Sequence, residues 1–196
     1  MPALHLPIFP LNTVLFPGGL LPLRVFETRY MDMVRDCLRN DRPFGVCLIR
    51  DGAEVGVPAI PEAVGCIARI TECDMQQLGL LTLKTLGGQR FRILELQTSS
   101  QGLVSADAEP IPPDEALAIP RQFAACARFL EIVIADQGPP IFAEPHEFDN
   151  AAWVGYRLAE ILPVSLPTRQ SLLELTDSLA RLSILQQFLE QRGLAS

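Results

Sequence analysis

Side chains that could act as nucleophiles, general bases or metal ligands are few in this chain of 196 residues. His5 lies in a predicted strand and His146 in a proline-rich loop, and neither belongs to a recognisable catalytic motif. The five cysteines are scattered, with no Cys-x-x-Cys pair, so the sequence predicts neither a zinc site nor a redox dithiol, and we expect no metal. We expect free and mostly buried thiols at Cys37, Cys47, Cys66, Cys73 and Cys126.

The only lysine, Lys84, argues against two further kinds of chemistry. A phosphate-binding loop needs glycine, lysine and serine or threonine in succession, because the lysine reaches the terminal phosphates while loop amides cradle them. Lys84 instead follows a leucine inside a predicted strand, where it should face solvent. Serine–lysine catalysis needs a desolvated lysine, which this position does not offer. We therefore predict no catalytic residues, no cofactor and no enzymatic activity; a hydrolase using His5 or His146 is the alternative.

The charge balance makes nucleic acid an unfavourable partner. The formal net charge is −7, and nucleic-acid affinity depends on cationic contacts to phosphates. Arg90 and Arg92 lie close together and could form a local basic patch, but two solvated strand residues are the more ordinary interpretation. An RNA-binding module remains the alternative to a protein-binding one.

The chain shows no sign of membrane insertion or secretion. No apolar run approaches the roughly 18 residues that suggest a membrane span. Residues 1–9 carry no positive segment and contain prolines, unlike a secretory signal. We therefore expect a cytoplasmic protein without a membrane partner.

Hydrophobic spacing divides the chain into a β-rich part, residues 1–112, and a helical part, residues 113–196. Apolar residues at helical spacing predict one amphipathic helix, residues 27–39, within the first part. No helix-sized segment separates the later strands, so we expect antiparallel hairpins between them. The predicted strands are residues 4–8, 21–26, 44–50, 64–73, 80–86, 91–96 and 103–108.

Prolines, glycines and one change of phase predict irregularities in these strands. Pro7 favours an edge or irregular strand. Asp51-Gly52 is typical of a hairpin turn, residues 74–79 form the next turn, and Gly87-Gly88 separates two further strands. After residue 93 the apolar phase slips by one residue, which predicts a bulge that curves the sheet toward a barrel.

The helical part is predicted to contain three helices. The first follows Pro120 and stops at Gly138-Pro139-Pro140. The second is capped by Asp149 and runs to residue 162. The third is capped by Thr168 and ends at Gly193. Its leucine stripe is too short for a coiled coil, so core packing is the preferred interpretation.

Short segments in a fixed order and spacing span nearly the whole chain. They are residues 6–11 (LPIFPL), 14–19 (VLFPGG), 21–23 (LPL), 25–30 (VFETRY), 44–46 (FGV), 55–56 (VG), 65–70 (GCIARI), 87–93 (GGQRFRI) and the helical pattern over 162–182. Together they resemble the N-terminal, substrate-binding domain of Lon proteases, in the small stand-alone form that lacks the ATPase and protease domains.

The resemblance implies both a fold and a role. The fold would be α+β: a PUA-like β pseudo-barrel with one internal helix, followed by a C-terminal helical bundle. In full-length Lon this domain recognises protein substrates ahead of the ATPase. We therefore expect a non-catalytic module that binds unfolded or extended polypeptide, with a protease as a further candidate partner and an adaptor in proteolysis or quality control as one form of its role.

The resemblance places substrate-related positions at the end of the second strand and the start of the first helix. We predict the contact region at Phe26, Glu27, Arg29 and Tyr30, where the usual segment of the family is more basic. A partner could add a strand to an exposed sheet edge or fill an apolar groove between the two parts of the chain. The alternative is that Phe26 and Tyr30 belong to the core while Glu27 and Arg29 form an ion pair that fixes the fold.

Overall fold

The computed structural model describes residues 4–136 and 141–194. Its strands and one helix lie before residue 111, and the other described helices follow. The chain divides into two compact units between Pro112 and Pro113. The described part of the first unit contains β1 (Leu4–Leu11), β2 (Leu20–Val25), α1 (Thr28–Asn40), β3 (Phe44–Asp51), β4 (Ile60–Pro61), β5 (Val64–Gln77), β6 (Leu80–Thr98) and β7 (Val104–Pro110). That of the second contains a 3₁₀ turn (Arg121–Phe123), α2 (Ala124–Asp136), α3 (Ala151–Ile161), α4 (Leu166–Glu174) and α5 (Ser178–Gln191). The predicted α+β fold class is confirmed.

Five strands of the first unit form a ring in the order β1-β7-β6-β5-β3, and β3 pairs with β1 to close it. The closing pair is parallel, whereas the other pairs in the ring are antiparallel. The pairing partner of β1 changes along its length. Its residues 4–8 pair with β7, and its residues 8–11 pair with β3. Pro7 pairs with β7 alone, so its missing N–H interrupts no ladder to β3.

β6 is one strand of 19 residues, so the prediction of two strands separated at Gly87-Gly88 was wrong. A Cβ atom at Gly87 would lie 2.1 Å from the Phe16 carbonyl oxygen. The glycine therefore permits two backbones to touch and does not make a turn. At this point β6 exchanges neighbours: residues 81–86 pair with β2, and residues 91–98 pair with β7.

The predicted bulge in β6 is confirmed. The register between β6 and β7 shifts between Ile93 and Glu95, which leaves one extra residue on β6. A bulge increases local twist and bends the strand. It therefore helps β6 to follow the curvature of the closed ring.

Two turns differ from their predicted forms. β3 and β4 are joined by residues 52–59 and not by a tight turn at Asp51-Gly52. The two-residue strand β4 was not predicted. The β5–β6 hairpin turns at Leu78 and Gly79 alone, since both strands continue into the segment that composition marked as a loop. Backbone pairing extends these strands beyond their apolar stretches, which is why the hydrophobic pattern underestimated them.

α1 begins one residue after its predicted start and packs its apolar face into the larger core cluster of the first unit. Asp41 ends the helix in the left-handed conformation, with φ of 48°. Phe9 of β1 and Phe44 of β3 belong to the same cluster. The helix contributes Tyr30, Met33, Val34 and Cys37 to this cluster.

Arg90 is buried, so the interpretation of Arg90 and Arg92 as two solvated residues was wrong for the first of them. Arg92 is exposed, with its Nε atom 3.8 Å from a Glu109 carboxylate oxygen. The two arginines therefore do not form a basic surface patch. Lys84 does face solvent as predicted, where it pairs with Glu72 at 2.8 Å.

The five cysteines are free thiols, as predicted, and Cys73 is the exposed one. Burial raises the pKa of Cys37 to about 11 and that of Cys126 to about 11. Thiols with such pKa values remain protonated at neutral pH and are poor nucleophiles.

The helical unit contains four helices in its described residues where three were predicted. The cap of α3 is Asn150 and not Asp149, because the Asn150 side chain accepts hydrogen bonds from the N–H groups of Ala152 and Trp153. The predicted stop at Gly138-Pro139-Pro140 lies outside the described residues. Gly193 ends the last helix with φ of 68°, as predicted.

The predicted third helix is two helices, α4 and α5, because polar groups end one and start the other. Ser165 caps α4 in place of the predicted Thr168. Asp177 caps α5 by accepting hydrogen bonds from the N–H groups of its first turn. The buried Arg181 guanidinium donates to the carbonyl oxygens of Leu172 and Leu175 at the end of α4.

Asp114 holds that guanidinium in place. Its carboxylate lies 2.8 Å from the Arg181 Nη1 atom and accepts a hydrogen bond from the Tyr156 hydroxyl at 2.8 Å. The guanidinium also lies over the Tyr156 ring, 4.1 Å from its centroid. The buried charge of Arg181, on α5, therefore fixes the end of α4. Hydrophobic periodicity in the sequence could not predict this contact.

Substituting Gly87 with alanine should lower the free energy of unfolding by about 2 kcal/mol or more, because the new methyl group overlaps the Phe16 carbonyl. Gly88→Ala is the matched control, since a Cβ atom there meets Ile67 at 3.5 Å, an ordinary contact. The control should stay within about 1 kcal/mol of the parent protein. Urea denaturation of both variants measures the difference, and equal losses would contradict the proposed role of Gly87.

Candidate functional site

A pocket of about 260 Å³ lies in the first unit, beside β2 and the start of α1. Phe9 and Leu11 of β1 contribute apolar lining, and residues 21–25 of β2 form one wall. Of the contact region predicted from sequence, Phe26, Glu27 and Tyr30 line the pocket. The remaining lining residues are Thr13, Glu54 and Val55.

Arg29, the fourth predicted contact residue, is buried and does not line the pocket. Its guanidinium lies 2.9 Å from a Glu27 carboxylate oxygen and donates to the Gly102 carbonyl oxygen at 3.0 Å. It also lies over the Tyr30 ring at 4.8 Å from the centroid. Arg29 therefore orients two residues of the pocket wall and ties them to the loop before β7.

Tyr30 combines a buried ring with a hydroxyl that forms no hydrogen bond within the described part of the chain. The ring is stacked on Phe9 with centroids 4.1 Å apart, and the residue is 4% exposed. Burial is the main cause that raises the pKa of Tyr30; Arg29 lowers it, and the carboxylates of Glu27 and Glu54 raise it further. The hydroxyl makes no hydrogen bond to other described residues. It is therefore a neutral donor and acceptor available to a ligand in the pocket.

Phe26 and Val55 place apolar surface at the pocket, and each is 56% exposed. The alternative interpretation from sequence was therefore right for Tyr30, which is core, and for the Glu27–Arg29 ion pair. It was wrong for Phe26, which is not core. An exposed phenylalanine beside an apolar concavity is typical of a binding surface.

β2 has an unpaired edge along this pocket. It pairs with β6, and the described residues place no strand on its other side. The Gly87 N–H donates to the Gly19 carbonyl oxygen. Gly19 and Gly87 are therefore taken as the first hydrogen-bonded pair between β2 and β6. Because bonded and non-bonded pairs alternate, the backbone groups of Leu20, Pro22 and Arg24 point away from β6. These positions offer their carbonyl groups, and Leu20 and Arg24 also their N–H groups, to an added strand.

Glu54 and Val55 were missed by sequence reasoning. They lie in the loop over residues 52–59, where the sequence predicted only a tight turn at Asp51-Gly52. The Glu54 carboxylate accepts a hydrogen bond from the Asn12 N–H at 2.5 Å, which connects this loop to the segment after β1. Two valines, Val55 and Val57, in a segment without strand or helix periodicity were the signal in the sequence, because most loops are polar. Both side chains are exposed in the structure.

The residues considered for catalysis are not assembled into a site. His5 bonds through Nδ1 to the Asp107 carboxylate at 2.8 Å on the surface. His146 packs against the rings of Phe148 and Trp153. Neither imidazole hydrogen-bonds to a serine or cysteine in the described part of the chain. Across residues 4–136 and 141–194, no group of three or more His, Cys, Asp or Glu side chains could hold a metal ion.

No helix in the described ranges has the length and apolar character to span a bilayer.

Comparison with known proteins gives a consistent result. A family model described as the ATP-dependent protease La (LON) substrate-binding domain matches residues 5–191. Among solved structures, that of a Lon N-terminal domain protein from Xanthomonas campestris aligns with a TM-score of 0.79 and 40% identity, covering 93% of this chain and 96% of that one.

Two curated relatives are larger proteins. Cereblon from Gallus gallus is 32% identical over 111 residues, which are 55% of this chain and 24% of cereblon. Lon protease 2 from Myxococcus xanthus is 37% identical over 93 residues, 46% of this chain and 11% of that protease. The chain thus spans about a quarter or less of the curated relatives that it matches.

The different positions of Arg29 and Phe26 predict different effects on stability. Arg29→Met should lower the free energy of unfolding by about 2–4 kcal/mol, because it leaves the Glu27 carboxylate and the Gly102 carbonyl without their partner. Phe26→Ala should change it by less than about 0.5 kcal/mol, since the ring is largely in solvent. Chemical denaturation measures both, and the reverse order would contradict these assignments.

Proposed function

Because the chain belongs to the family of ATP-dependent protease La (Lon) substrate-binding domains, we propose that it binds extended or unfolded polypeptide segments without catalysing a reaction. The single observation that carries this proposal is the pocket beside the unpaired edge of β2. A strand edge and a neighbouring pocket together are the parts that strand addition requires. The edge supplies affinity that does not depend on sequence, and the pocket receives a side chain.

Strand addition explains how one surface would accept many segments. The outward N–H groups of Leu20 and Arg24 and the carbonyl of Pro22 would bond to the backbone of the segment, which all sequences share. A folded protein has already paired most of its backbone groups. The surface would therefore discriminate against folded proteins without reading their sequence.

The site contains groups suited to polypeptide more than to nucleic acid. Glu27 and Glu54 line the pocket, and their carboxylates would repel a phosphate backbone. Phe26, Val55 and the Phe9–Tyr30 stack offer apolar and aromatic surface to side chains. Protein binding is therefore favoured over the RNA-binding alternative.

We extend the proposal to an adaptor role toward a protease, since the relatives include Lon proteases. The free thiols fit a reducing compartment, and cytoplasmic location is part of the same proposal. Such an adaptor would hold a polypeptide segment and leave cleavage to its partner.

An unfolded protein should bind and its folded form should not. The probe is a reduced, carboxymethylated small protein, titrated in parallel with its native disulfide-bonded form and followed by calorimetry. Phe26→Ala should weaken binding of the unfolded form about fivefold, because truncating a contacting aromatic residue removes about 1 kcal/mol or more. Leu94→Ala is the matched control, since Leu94 is 58% exposed on β6 and does not line the pocket. Equal and negligible binding of both forms would rule out the proposed function.

The strand edge has its own test at Arg24. Arg24→Pro removes one outward N–H, and proline is tolerated on an edge strand at such a position. Arg24→Ala removes the same side chain and keeps the N–H. The proline variant should bind the unfolded probe several-fold more weakly than the alanine variant, with both retaining the parent melting temperature to within a few degrees. Equal affinities would exclude backbone pairing at β2 as the mode of binding.

A further inference from the structure

We propose that the pocket beside β2 selects a basic side chain, lysine or arginine, from the segment that it holds. The inference rests on the proposed function, because it assumes that an extended segment lies along the edge of β2. It goes further by naming the side-chain chemistry that this one pocket recognises.

The apolar part of the pocket suits a long aliphatic stem. Leu23 and Val25 are buried residues of β2 that line it, together with Phe9 and Leu11 of β1. A volume of about 260 Å³ is below the range of about 300–1,000 Å³ that is usual for small-molecule sites. It is therefore suited to one side chain. Lysine and arginine bury their methylene stems against apolar surface while keeping the charged head at a polar group.

The polar part of the pocket contains a hydroxyl and a carboxylate that no cation of the described residues pairs with. Tyr30 is only 4% exposed, and its hydroxyl forms no hydrogen bond to other described residues. Glu54 also lines the pocket, and one of its oxygens accepts the Asn12 N–H. In the described part of the chain Glu54 forms no ion pair, whereas Glu27 is paired with Arg29. A donor that bonds to both the Tyr30 hydroxyl and the Glu54 carboxylate would satisfy both groups.

Desolvation decides between a basic and an apolar side chain. An apolar side chain in the pocket would remove water from the Glu54 carboxylate and the Tyr30 hydroxyl without replacing its hydrogen bonds, which is unfavourable. A guanidinium or ammonium group replaces them with charge-assisted bonds. An acidic side chain would meet Glu54 with like charge.

Arg24, a cation that lines the pocket, does not reverse this preference. Side chains alternate between the two faces of a strand, and Leu23 and Val25 occupy the buried face of β2. Arg24 is exposed and also lines the pocket, but within the described residues it forms no ion pair with Glu54, so the carboxylate remains available to a ligand. The net charge of −7 adds a weak long-range attraction for basic segments.

Four peptides test the proposal. Each has seven residues, alternating threonine and valine, with arginine, lysine, norleucine or glutamate at the centre and a fluorescent label at one end. Fluorescence anisotropy at about 0.15 M salt limits the contribution of distant charges. The arginine and lysine peptides should bind about fivefold or more tightly than the norleucine peptide, and the glutamate peptide should bind most weakly.

Two variants locate the effect. Glu54→Gln and Tyr30→Phe should each reduce the preference for arginine over norleucine to about twofold or less, with the norleucine peptide little changed. Glu95→Gln is the matched control, because it removes the same charge from an exposed position on β6 outside the pocket. It should leave the preference unchanged.

The outcomes separate this proposal from the proposed function. Equal binding of the arginine and norleucine peptides would overturn basic selection while supporting peptide binding. A preference that Glu95→Gln abolishes as fully as Glu54→Gln would also overturn it, since net charge and not the pocket would then be responsible. If none of the four peptides binds, basic selection fails, and the titration with unfolded protein decides the proposed function independently.

Discussion

The contact between two backbones at Gly87 is the constraint on which the first unit depends. β6 must leave β2 and join β7 within a few residues, and a side chain at this position would overlap the Phe16 carbonyl. Because β6 leaves, β7 can pair with β1, and β1 with β3, so that the ring closes. β2 remains outside the ring with one neighbour. The same close approach therefore closes the barrel and creates the unpaired edge beside the pocket.

Buried arginines provide a second level of organisation in both units. Arg29 connects the start of α1 to a carbonyl 73 residues later in the chain, and Arg181 connects α5 to Asp114, 67 residues earlier. A buried charge is tolerated when it is paired with an opposite charge, and removing one partner is strongly destabilising. Each arginine therefore specifies which distant segments must be adjacent, which an apolar core alone would specify less strictly.

The sequence predicted those features that depend on neighbours along the chain. The amphipathic spacing of α1, the phase slip in β6 and the glycine at 193 are local patterns, and the structure contains all three features. Gly87 was misinterpreted as a separator because its function is contact with residue 16. Burial of Arg90 was missed for the same reason, since charged residues are buried only when distant partners satisfy them. The family resemblance predicted a contact region at the end of β2 and the start of α1, but a short motif cannot distinguish a residue of the pocket wall from the buried Arg29.

An unpaired strand edge, here proposed to bind extended segments, also presents a risk of pairing with other copies of the protein. β2 limits this risk through its own sequence. It has only six residues, Pro22 removes one donor from the open edge, and Arg24 places a charge on the exposed face. Few backbone bonds remain available, so affinity for an arbitrary strand stays low. Useful binding then requires the additional contribution of a side chain in the pocket, which is why the edge and the pocket are interpreted as one site.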